Sequence, residues 1–105
     1  MIALQTIERE LLSHHPDADV NLVKRAYVFA ARMHKGQLRK SGDPYIMHPM
    51  EVANIVAQHN LDAPSVCAGL LHDTVEDTEA TIEDVRYQFG SEIASLVESL
   101  TKLNK

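Results

Sequence analysis

The sequence predicts an all-α fold of five or six helices in one domain, and three observations carry that expectation. Apolar residues recur at helical spacing through almost the whole chain. Residues with helix-starting or helix-ending chemistry stand at the boundaries between those stripes. No convincing run alternates apolar and polar residues as a half-buried strand would. With 105 residues, there is room for one small domain and no more.

The elements follow in order. Residues 2 to 13 place Ile2, Leu4, Ile7, Leu11 and Leu12 on one stripe, which Pro16 breaks. Asp19 is placed to cap a second helix from Val20 to His34, with Leu22, Val23, Ala26, Tyr27, Ala30 and Met33 facing the core and Gly36 closing it. A loop, Gly36 to Met47, carries the turn residues Gly42, Asp43 and Pro44. The third helix starts near His48 or Pro49 and buries Met50, Val52, Ala53 and Val56, with Ile55 on a flank. Asp62 caps a fourth with Pro64 in its first turn, burying Val66, Cys67, Leu70, Leu71 and Val75. Thr81 to Asp84 reads as a capping box for a short fifth helix that ends at Gly90. Ser91 opens the last, with Ile93, Leu96, Val97 and Leu100 on one face, a stripe that runs on to Leu103 close to the last residue, Lys105. That stripe is expected to need a further helix, which makes the chain a fragment of a longer protein.

Composition excludes several classes. The chain is 45% apolar and 24% charged with four Gly and four Pro, the make-up of a globular core rather than a disordered or repetitive chain. No apolar run approaches the ~20 residues that span a bilayer, and the acid-bearing start is no secretory signal. The single cysteine, Cys67, rules out an internal disulfide framework and fits a reducing, cytoplasmic setting. Charge is segregated. Six of the ten Lys and Arg lie between Lys24 and Lys40, none lies between Ser41 and Val85, and acids cluster after His72. Two solvated faces would explain this. So would a basic wall for an anion beside an acidic wall for a cation. Direct DNA binding is not expected, because fifteen acids outnumber ten bases and aromatics are few.

The chemistry concentrates near His72-Asp73, which follows the apolar run Ala68 to Leu71. Imidazole nitrogen plus carboxylate oxygen suits Zn, Mn or Fe. Neighbours on a helix point ~100° apart, so both reach one ion only over the ridge between them. His48, at the start of the third helix, is the best third ligand. A buried hydrogen-bonded His–Asp pair is the structural alternative. Glu76 lies four from His72 and three from Asp73, and Asp77 four from Asp73, so the four share a face. Such carboxylates can take a proton from an attacking water or hold a ligand histidine's second nitrogen. Acids at a helix C-terminus oppose the dipole, which makes the arrangement costly without a cation. Arg39 and Lys40, in the Gly-flanked loop, suit a phosphate. Metal-assisted hydrolysis of a phosphorylated substrate is the composite expectation. His34 is expected to serve as an imidazolium on a helix C-terminus, and His14, His15 and His59 as structural or solvated residues.

Three strings then stand out: R-A-Y-V-F-A-A-R-M-H-K-G-Q-L-R-K-S-G-D-P-Y-I-M-H-P-M-E-V-A, L-L-H-D-T-V-E-D-T and F-G-S-E-I-A-S-L-V-E-S-L-T-K-L. Together they closely resemble the hydrolase domain of the RelA/SpoT family, the enzymes of guanosine tetra- and pentaphosphate. The resemblance runs from about Asp19 to Leu103. It implies the HD phosphohydrolase architecture, truncated at the C-terminus, so that residues 1 to 105 form the N-terminal part of a single hydrolase domain. It implies Mn2+ held by His48, His72 and Asp73, with Glu76 and Asp77 activating or positioning water. It assigns Arg39, Lys40 and Ser41 to the nucleotide. The implied reaction removes pyrophosphate from the ribose 3′ position to leave GDP or GTP.

The family's fourth ligand is an Asp several dozen residues beyond the H-D pair, outside this sequence, and Asp84 is too near to match it. The isolated chain is therefore expected to be weak or inactive. The intact His72-Asp73 is unlike the synthetase-only branch, and the leader before Arg25, with Leu11-Leu12 and D-V-N-L-V, resembles a long bifunctional enzyme more than a small stand-alone hydrolase, so the parent is expected to carry synthetase and regulatory domains. Two alternatives remain at this stage: a non-catalytic nucleotide-sensing or regulatory module, and an HD phosphohydrolase of another nucleotide.

Overall fold

In the computed structural model, which describes residues 2–103, six helices follow one another: α1 (Leu4–His14), α2 (Val20–Met33), α3 (Met47–Gln58), α4 (Ala63–Asp77), α5 (Ile82–Phe89) and α6 (Ser91–Leu103). The side chain of Leu103 lies outside the described residues. The caps form as their chemistry demands. Asp19 accepts from the Leu22 amide, Asp62 from the Ser65 amide and hydroxyl, and Thr81 and Asp84 close a reciprocal capping box.

Helix α4 is the axis of the fold, packed against α2, α3 and α6. It buries Ala63, Val66, Cys67, Ala68, Gly69, Leu70 and Leu71, so it is apolar nearly all round until its last turn and a half. Val23, Ala26 and Ala30 meet it from α2, Met50, Ala53 and Ala57 come from α3, and Ile93, Ala94 and Val97 from α6. Ile7 and Leu11 of α1 complete the core. Gly69 sets how closely α3 and α4 approach: a Cβ there would stand 3.4 Å from the Ala53 Cα and 3.5 Å from a Val56 methyl. That close crossing brings the start of α3 beside the end of α4.

Three details depart from the sequence expectation. Leu96 and Leu100 are not core residues; both stay more than a third exposed and line an apolar groove with Val52, Val56, Leu61, Ala68 and Gly69 that ends at His72. The buried face of α3 runs through Ala57 rather than Val52. Its small side chains let α3 lie close on α4. Helix α2 ends at Met33, with His34 as its cap residue.

The α2–α3 loop folds back on itself without a strand. The Arg39 amide donates to the Asp43 carbonyl at 2.8 Å, and the Tyr45 amide to the Gln37 carbonyl at 3.0 Å. Gly36 and Gly42, at φ 84° and 92°, make the turns that an L side chain would strain.

Candidate metal centre

The end of α4 and the start of α3 put three donor side chains together. Asp73 is buried, and its two oxygens face two imidazoles: Oδ2 lies 3.1 Å from Nε2 of His48, and Oδ1 lies 3.2 Å from Nε2 of His72. All three ligand atoms fall within 4.8 Å of one another. The sequence expectation that His48, His72 and Asp73 converge is met in space.

The second nitrogen of His72 is also engaged. Nδ1–H donates to the Gly69 carbonyl one turn earlier at 2.8 Å, which leaves the Nε2 lone pair free beside Asp73. Among the described residues, Asp73 Oδ2 is buried without a hydrogen-bond partner of acceptable geometry. An orphaned buried carboxylate oxygen is costly. A cation satisfies it, because lone pairs then converge on a charge instead of on each other. Spacing fits as well. Two ligand atoms each about 2.1 Å from one ion stand about 3.0 Å apart at a right angle and about 3.4 Å apart at the tetrahedral angle. Two imidazoles and a carboxylate form a donor set suited to a borderline divalent cation. Solvent reaches the cluster over His48, whose side chain is 35% exposed against 10% for Asp73.

Glu76 and Asp77 extend the acidic surface at the exposed end of α4, whose last turn holds no basic residue to balance the dipole. The two carboxylates differ. Asp77 Oδ2 accepts from the Tyr45 hydroxyl at 2.8 Å, and the Asp77 carbonyl accepts from the Gln37 amide at 2.8 Å. No side-chain bond or ion pair holds Glu76 among the described residues.

Arg39, Lys40 and Ser41 line an open depression with Asp43 and Tyr45. The Ser41 hydroxyl donates to Asp43 Oδ2 at 3.1 Å, so it braces the loop. Tyr45 joins this depression to the cluster: its ring meets His48 edge-on at 6.1 Å between centroids. Burial above all, then the bond to Asp77 and the charges of Asp73 and Asp77, push the Tyr45 hydroxyl up to about 12, against the pull of Arg39. It remains a donor throughout the neutral range.

Tyr45, Gln37 and His34 were missed by sequence reasoning as site residues. His34 stands at the end of α2, as expected, but it is not solvated there. It is buried at 3% exposure, stacked on Tyr45 at 4.9 Å, and both ring nitrogens are bonded. The distant bonds to Thr74 and Asp77 leave no local signal; only the crowding of His, Gln and Tyr around the loop hinted at them.

The basic stretch divides too. Arg25 donates to the Gln88 carbonyl at 2.6 Å and lies 5.5 Å over the Phe89 ring, and Lys24 faces Glu8 at 3.8 Å, so both brace helices. His14 pairs with Glu10 one turn back, and His15 bonds the Asn60 carbonyl, as befits structural residues. Burial pushes the Cys67 thiol up to about 12, which makes it an inert core residue.

The HD domain family matches residues 26–105. A GTP pyrophosphokinase of Myxococcus xanthus is 55% identical over 88% of this chain. A guanosine-3′,5′-bis(diphosphate) 3′-pyrophosphohydrolase of Aquifex aeolicus is 43% identical over 99% of it. The chain spans only 12% and 15% of the lengths of these two relatives. A solved structure, described as a metazoan ortholog of SpoT that hydrolyzes ppGpp, superposes with a TM-score of 0.72 and 34% identity, over 76% of this chain and 47% of that one. No helix among the described residues is long and apolar enough to cross a membrane.

Proposed function

The chain belongs to the HD-domain family, in its RelA/SpoT branch, and from that premise we propose that it carries the metal-binding half of a site that hydrolyses the 3′-pyrophosphate of guanosine tetra- and pentaphosphate. The observation that carries this reading is the cluster of His48, His72 and Asp73 with its unpartnered carboxylate oxygen. His48, His72 and Asp73 would hold the ion, Mn2+ by family resemblance, and the ion supplies Lewis-acid activation of water and polarisation of a phosphoryl oxygen.

The remaining residues have distinct tasks. Glu76, exposed and unengaged, takes the proton from the attacking water. Asp77, held by Tyr45, orients that water through its other oxygen. Arg39 and Lys40 draw the polyphosphate to the loop beside the cluster. The two-histidine, one-carboxylate set leaves room for a further ligand, which the longer relatives have chain enough to supply. A parent with a second, synthetase activity is part of this proposal.

The test is product analysis. Guanosine tetraphosphate and Mn2+ are incubated with this chain and with one extended toward the length of its relatives. GDP and pyrophosphate are expected, weakly from the first and strongly from the second, and from neither after His72→Ala. Loss of phosphate from the 5′ side, or turnover that survives His72→Ala, refutes the assignment. Tight nucleotide binding with no turnover by either chain would favour a sensing module.

A further inference from the structure

The α2–α3 loop carries Arg39 and Lys40 beside Tyr45, yet both are exposed and the loop has no strand to stiffen it. What fixes it is a bonded chain of side chains that begins and ends on α4. Gln37 donates from its amide nitrogen to the Asp77 carbonyl at 2.8 Å, so its oxygen must face His34. His34 Nδ1 therefore carries the proton and donates to that oxygen at 2.9 Å. Nε2 is hydrogen-bonded in turn to the buried Thr74 hydroxyl at 3.1 Å. The His34 ring stacks on Tyr45 at 4.9 Å, and Tyr45 closes the circuit on Asp77 at 2.8 Å.

Thr74 and Asp77 lie one turn apart on α4, and Thr74 follows Asp73 directly. The loop is thus bolted to the helix that carries the cluster, at two points one turn apart. A planar ring between two side-chain bonds is rigid, and burial shields the His34–Thr74 bond from competing water.

We propose that His34 and Tyr45 are positioning residues, a stacked pair that clamps the Arg39–Lys40 loop to the end of α4 and aims the Asp77 carboxylate. This rests on the functional reading above and deepens it. The clamp acts on the substrate through Arg39, Lys40 and Asp77.

The test uses the whole chain with Tyr45→Phe, which keeps the stacked ring and removes only the hydroxyl, and His34→Ala, which removes the stack and both bonds. Three quantities are compared with the wild type: amide exchange at Arg39, Gly42 and Tyr45, affinity for guanosine tetraphosphate with Mn2+ present, and the unfolding midpoint. For Tyr45→Phe, exchange faster and affinity weaker by about five- to tenfold are expected, the factor that one lost hydrogen bond carries, with a midpoint lowered by no more than about 4–8 °C and an unchanged Mn2+ affinity. His34→Ala, where it folds, should exceed both effects. Unchanged loop exchange in Tyr45→Phe overturns the clamp. Faster exchange with unchanged affinity overturns the positioning role alone. If the wild-type chain binds no guanosine tetraphosphate, the functional reading falls, and the positioning role falls with it.

Discussion

Replacing Asp73 by Asn separates a metal site from a buried hydrogen-bonded pair, because the two readings demand opposite signs. Asp73 is buried, and its Oδ2 faces His48 Nε2 at 3.1 Å without an acceptable donor. In the metal-free chain this oxygen carries the penalty of an unsatisfied buried acceptor, about 1–3 kcal/mol. An Asn amide in the same place is uncharged, so leaving it unpaired costs less than leaving a carboxylate unpaired. Metal-free Asp73→Asn should therefore be as stable as the wild type or more so, by up to about 3 kcal/mol. Adding the cation reverses the order. At a hundredfold excess over Kd, an ion that binds only the folded state adds about 2.7 kcal/mol. For a domain of this size, that raises the midpoint by about 11–22 °C. The wild type should show this rise with Mn2+, and the variant, having lost the anionic ligand, should show little or none. Thermal unfolding by circular dichroism, with chelator and with Mn2+, measures both. A variant that is less stable than wild type without metal, beside a wild type that ignores Mn2+, would refute the reasoning and leave a structural His–Asp pair.

Other outcomes follow from named contacts. Glu76→Gln in a chain extended toward the length of its relatives should keep the metal and lose rate by about 10²–10⁴-fold; full activity would remove Glu76 as the base, and metal loss would make it a ligand. Gly69→Val should cost about 1–3 kcal/mol and weaken Mn2+ binding, since side-chain atoms there would push α3 and His48 away; unfolding and metal titrations read both. Alkaline stability has a fixed sign. The folded chain holds the Tyr45 proton up to about 12 against an ordinary 10.0, so that group's contribution is complete below pH 10 and lost as pH rises through 12. Tyr45→Phe should decline less over that window in a pH titration of unfolding.

Local chemistry made most of the fold legible. Asp19, Asp62 and the Thr81–Asp84 box fix three helix starts through bonds within four residues, and sequence spacing encodes such bonds directly. The metal cluster was legible for a different reason. His72 and Asp73 are adjacent, and only His48 had to be brought from another helix. The clamp around His34 was not legible, because its bonds to Thr74 and Asp77 join residues 40 apart. A histidine just past a helix end has an ordinary local explanation, and only the crossing of α2 over α4 replaces it with a buried one. Leu96 and Leu100 mislead in the opposite direction. Their spacing matches the stripe of Ile93 and Val97, yet they face the groove beside His72.

The central claim is that His48, His72 and Asp73 hold one divalent cation, and a Mn2+ titration tests it most directly. The resonance of free Mn2+ is followed as the ion is added to the wild-type chain and to His72→Ala, with circular dichroism confirming that both are helical. One ion per chain is expected for the wild type. Affinity should fall by at least the 10–100-fold that even a supporting residue commands once the imidazole is gone. Equal uptake by the two folded chains, or none by the wild type, would contradict the account.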